Sequence, residues 1–126
     1  MSRSLYEQAG GMDTLRAVIE DFYDRVFDDV MIGFFFRDAA KARLVEKELE
    51  LAAGLLGAQG VTYTGEPLKQ AHARHPIMGG HFERRKQLLD DTIRDHGLPE
   101  AVREEWIAHT ELLRPLVTDY EGGDCE

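Results

Sequence analysis

Apolar residues recur three or four positions apart through most of the chain, the spacing that keeps them on one side of a helix. The clearest case is Leu15, Val18, Ile19, Phe22, Val26 and Phe27, a wide stripe that leaves Asp21, Asp24 and Arg25 facing away. It predicts a firmly packed helix with Asp13 as its cap. Ahead of it, Ser4 and Glu7 stand at capping-box spacing for a short first helix, which Gly10 and Gly11 end. From Val30 to Phe36 the chain is apolar but broken by Gly33, and reads as a compact corner that plants aromatic rings in the interior. Asp38 is placed to cap a third helix running to about Leu56. Gly57 and Gly60 then open a loop of roughly ten residues, long for a compact domain.

In the second half, Gly65 permits a turn and Pro67 suits a first helical position, so Leu68 to His75 form a short helix that Pro76 stops. Gly79 and Gly80 lead into a long helix from His81 to His96, ended by Gly97. Pro99 starts the last helix, with Val102, Trp106, Leu113, Leu116 and Val117 as its buried side. Residues 1–119 make one domain. The tail at 120–126 has too little apolar content to fold and is expected to be disordered. Strand patterns are absent apart from a few residues near Val61 to Tyr63, so the fold class is all-α.

Composition adds boundaries. With 126 residues, 43% hydrophobic and 31% charged, the chain has ordinary globular composition and enough length to bury a core. No apolar run approaches the ~20 residues of a membrane span, and MSRSLYEQ lacks a signal peptide's apolar stretch, so a cytoplasmic protein is expected. Cys125 is the single cysteine, which excludes an internal disulfide scaffold. A net charge of −9 argues against nucleic acid or an anionic membrane surface as a partner.

Candidate chemistry gathers in Tyr63 to Phe82, YTGEPLKQAHARHPIMGGHF. A helix of two turns is not stable alone in water, so its side chains must hold it. Packing of Leu68, Ala71 and His72 would do so, and so would a metal bond through His72; both readings stand open. His75, three residues on, faces the same way, and the two histidines could clasp a metal ion between them, although no Cys or Asp lies near to complete such a site. His81, His96 and His109 read as a helix start, a helix end whose dipole favours a cation, and an exposed turn. Two charges interrupt apolar lines. Leu44, Glu48, Leu51 and Leu55 share one helical face, and Phe82, Arg85, Leu89 and Thr92 share another. Lone buried charges cost several kcal/mol, in rough terms, so Glu48 and Arg85 either meet or reach solvent from helix edges.

The start of the chain (LYEQAGG, then IEDFYDRV), the run Phe34-Phe35-Phe36, the pattern YTG-x-P-x-K-x-x-H and the HF opening the next long helix resemble a truncated haemoglobin, most closely group I, from about Leu5 to Val117. The resemblance implies a two-over-two helical sandwich around haem b, with one iron per chain and His72 as its proximal ligand. It places Phe36 against the porphyrin, where plain core is the alternative, and Tyr23 opposite the iron as a hydrogen-bond donor to bound gas, where a buried core tyrosine is the alternative. Leu68, Ala71 and Ile77 would supply apolar walls, with His75 at the rim. Lys69 and Arg74 would pair with the propionates unless simply solvated. Leu44, Glu48, Phe82 and Arg85 complete the expected cofactor set. Glu48 stands where group I members often carry glutamine, and Arg85 where the family is usually apolar or aromatic. Both are expected over the distal side as an ion pair, with Tyr23 or a water between them. The implied function is reversible binding of dioxygen, or of nitric oxide or carbon monoxide, at ferrous iron, with nitric oxide dioxygenation given a separate reductase. A haem-based gas sensor acting through a partner and a cofactor-free helical interaction module are the competing readings.

Overall fold

The computed structural model describes residues 3–62, 64 and 79–114. Its helices are α1 (Leu5–Ala9), α2 (Gly11–Asp28), α3 (Lys41–Leu55), α4 (Gly79–Asp95) and α5 (Glu100–Leu112), with a short 3-10 turn at Gly33–Phe36. No strand occurs among the described residues, Val61 and Thr62 included, and no helix among them is long and apolar enough to cross a membrane. The short helix expected at 68–75, and with it Leu68, Lys69, His72, His75 and Ile77, lies outside the described residues. So do Leu116, Val117, the tail and Cys125.

The first helix starts as its residues dictate. Ser4 Oγ accepts from the Glu7 amide at 3.1 Å, and the Glu7 carboxylate accepts from the Ser4 amide at 3.2 Å. Gly10, at φ +107°, both ends α1 and begins α2. A side chain is doubly excluded there, because an added Cβ would lie 2.5 Å from Thr14 Oγ1. The two helices therefore abut, and Asp13 falls inside the first turn of α2 rather than at its cap. Asp38 is not a cap either: the Arg37 and Ala39 amides turn back onto Phe34 and Phe36, and Ala40 takes the position before α3.

The α2 stripe packs against α3 and α4, and α4 packs on α5, so two helix pairs are layered across each other, with α1 closing one end against α2 and α5. Phe22, Leu15, Ile19, Leu89, Ile93, Val102 and Trp106 are fully buried. Each such large side chain contributes about 1.5–3 kcal/mol through burial, which is what holds individually marginal helices. The corner between α2 and α3 is tied by Asp29, whose Oδ2 accepts from the Met31 and Ile32 amides at 2.9 and 3.1 Å. Gly33 lies so close to α2 that a Cβ would meet the Phe27 carbonyl oxygen at 2.7 Å. Of the three rings in this corner Phe35 and Phe36 turn partly inward, while Phe34 stays half-exposed, stacked on Phe35 with centroids 4.1 Å apart. His109 is not in an exposed turn: it lies within α5, and its Nδ1 is buried with no hydrogen-bond partner among the described residues, as is Trp106 Nε1.

Candidate functional site

Three helices each bring one polar side chain to a single place. Tyr23 lies on α2 beside Phe22 and is 5% exposed; Glu48 comes from α3 and Arg85 from α4. Arg85 Nη2 donates to Glu48 Oε1 at 3.1 Å and to Tyr23 Oη at 3.4 Å. The two charges thus meet instead of escaping to water, with side chains 11% exposed for Glu48 and 24% for Arg85. The guanidinium also lies 4.9 Å from the centroid of the Phe22 ring. Burial works against the charge on Arg85, but Tyr23 and Glu48 outweigh it and hold the group above its ordinary value.

Such a pair is weak evidence of stabilisation, since apolar replacements of similar volume often do as well. Its position in an otherwise apolar setting is the informative feature. The Tyr23 ring sits edge-on to Phe22 at 4.9 Å and to Phe36 at 6.3 Å, and Phe36 leans on Phe27 at 5.9 Å. On α3, Val45, Leu49, Ala52 and Ala53 are buried, whereas Leu44, Leu51 and Leu55, on the same face as Glu48, are only half-covered. This second apolar face, next to a polar trio, suits a flat and largely apolar group that presents one polar ligand. Phe82 is buried, and its ring carries the Arg114 guanidinium at 4.5 Å.

Among the described residues no cluster of three or more His, Cys, Asp or Glu side chains could hold a metal ion. His72, the residue expected to do so, lies outside them, but the chain leading towards it is anchored. The Thr64 amide donates to Glu50 Oε1 at 2.7 Å and the Thr64 hydroxyl donates at 3.0 Å, tying this loop to α3. Those bonds, the backbone one foremost, hold the Glu50 carboxyl below its usual range. Neither Glu50 nor Arg114 was marked by the sequence, because a charged residue on a helix reads as a solvated face until its partner is known. Of the described histidines, His81 packs its ring on Phe35 at 4.8 Å, and His96 Nε2 meets Asp21 Oδ2 at 2.8 Å.

The model of the family described as bacterial-like globin matches residues 4–118. The group 1 truncated hemoglobin GlbN of Mycolicibacterium paratuberculosis is 33% identical over 120 residues, spanning 95% of this chain and 88% of that one. The protein of the same description from Synechocystis is 34% identical over 105 residues, 77% of this chain and 81% of its own. Truncated hemoglobin from Tetrahymena pyriformis in its Fe(III) form superposes with a TM-score of 0.84 at 24% identity, covering 92% of this chain and 98% of that one. Its variants with one tyrosine changed to phenylalanine, or one of two glutamines to glutamate, superpose equally well. A two-over-two arrangement of helices, a polar trio set among aromatic rings, and relatives this similar over nearly the whole length lead to one conclusion: the chain belongs to the bacterial-like globin family and is a truncated haemoglobin of group 1.

Proposed function

We propose that the chain binds one haem b, held through His72, and reversibly takes up dioxygen or another diatomic gas on the opposite side, beside Tyr23, Glu48 and Arg85. The convergence of those three side chains from three helices is the observation that carries this reading. Membership of the family implies the haem. A further support is spacing: the tyrosine and two glutamines varied in the Tetrahymena pyriformis protein are separated along that chain as Tyr23, Leu44 and Glu48 are here. When bound, haem supplies an iron that in its ferrous state takes up a diatomic gas. The residues do the rest. Tyr23 Oη, placed by Phe36 and Arg85, donates a hydrogen bond to the gas and slows its escape. Phe36, Leu44, Phe82, Leu68 and Ile77 wall off water, His75 lines the rim, and Lys69 meets a propionate.

A second activity, nitric oxide dioxygenation, uses the same residues and draws electrons from a separate reductase. The test begins with haem added to the purified chain. The expected result is a Soret band that shifts when the reduced protein meets carbon monoxide, together with a higher melting temperature. A chain that stays colourless, with unchanged melting, would overturn the proposal in favour of a cofactor-free interaction module.

A further inference from the structure

We infer that Arg85 makes the ligand side of this pocket selective for anions, and that Glu48 is the residue positioning it. The inference rests on the proposed haem site and adds a specificity to it. A guanidinium has five N–H donors in a fixed fork. Here a single nitrogen, Nη2, serves both Glu48 and Tyr23, while Nη1 and Nε have no acceptor among the described residues. Arg84, the neighbour on α4, differs: its Nε and Nη2 both go to Asp29 Oδ1, at 2.8 and 2.7 Å. Arg85 is therefore held by one corner of its fork and keeps donors for another acceptor.

The surroundings strengthen such a contact. With the Glu48 side chain 11% exposed and Phe22 beneath the guanidinium, water competes poorly, and charge-assisted hydrogen bonds are the strong ones. Tyr23 Oη accepts from Arg85 at 3.4 Å, so the guanidinium reaches the residue proposed to meet the gas. Spare N–H donors on a positively charged group suit a small anion better than a neutral diatomic gas. Glu48 opposes the same anion by its own charge while it holds the guanidinium in place. The two residues should consequently act in opposite directions, which a purely structural pair would not do.

The experiment titrates fluoride into the ferric, haem-loaded protein and carbon monoxide into the ferrous protein, following the visible spectrum. For Arg85→Leu, fluoride binding is expected to weaken by about tenfold or more, with carbon monoxide affinity within about threefold of the parent. Glu48→Gln keeps an acceptor for Arg85 but removes the negative charge, and fluoride should bind as tightly or tighter. If Arg85→Leu does not fold, Arg85→Lys gives the same reading, with an intermediate loss of fluoride. Melting of the haem-free single and double variants provides a readout independent of the cofactor, and there the two positions should be coupled. Fluoride affinity indifferent to Arg85, equal losses of fluoride and carbon monoxide, or a Glu48→Gln loss matching that of Arg85→Leu each overturn the inference while leaving haem binding intact. A chain that takes up no haem overturns both.

Discussion

Arg84 and Arg85 are consecutive on α4, and each meets a carboxylate from another element, yet the two pairs are built differently. Asp29 is saturated: one oxygen receives two nitrogens of Arg84 and the other caps the Met31 and Ile32 amides, on a side chain 5% exposed. Glu48 receives one nitrogen of Arg85 through one oxygen, and that nitrogen is shared with Tyr23. The first pair uses its bonding capacity to lock a corner of the fold. The second holds capacity in reserve beside a half-covered apolar face, where it can serve a ligand. Adjacent residues of one type are thus divided between structure and function by what their partners leave unmet.

Removing the saturated carboxylate should cost most. Asp29→Ala strips two backbone amides and one arginine of their acceptor and is expected to lower stability by about 2–3 kcal/mol, measured by urea unfolding. An equal loss on Glu48→Ala would erase the distinction between the pairs. The acid limb of the stability curve is the next test. Arg84 first, and then the two amides, hold the Asp29 carboxyl below its ordinary value of 3.8. Its contribution is full above that value and fades as pH falls below it. Asp29→Asn should flatten this limb, and unfolding at several acid pH values checks it. Glu48→Gln should cost less than Asp29→Ala, about 1–2 kcal/mol, because an amide oxygen still accepts from Arg85 and the guanidinium, 24% exposed, keeps some water although its counter-charge is gone. The smallest effect belongs to the surface network in which Arg114 and Lys86 hold Glu111 down to about 2 from its usual 4.5. The Glu111 side chain is 44% exposed and its field is screened by water, so Glu111→Gln should cost no more than about 0.5 kcal/mol, a contribution lost as pH falls from 4.5 towards 2, and thermal melts would show it.

Much of this was legible in the residues. The stripe from Leu15 to Phe27 predicted α2 and its buried face, because burial of one side is what a helix of that length needs. Glu48 and Arg85 were visible as charges breaking apolar lines on separate helices, but the cost of a lone buried charge left two outcomes, meeting or reaching solvent, and only tertiary packing selected the first. The Asp13 and Asp38 caps failed for a shared reason. A local capping preference is worth about 1 kcal/mol and yields to chain geometry, here a left-handed Gly10 joining two helices and amides folded back on the aromatic corner. Asp29 with Arg84, Glu50 with Thr64 and Arg114 over Phe82 were not legible, because each partner is chosen by tertiary packing across tens of residues. The roles given to Leu68, Lys69, His72, His75 and Ile77 still rest on the family likeness.

The most direct measurement of the haem account is the resonance Raman spectrum of the ferrous, gas-free protein. A band from an iron–histidine bond is expected in the parent chain, absent in His72→Gly and restored when free imidazole is added. A His72→Gly protein that keeps the band unchanged without imidazole would contradict it.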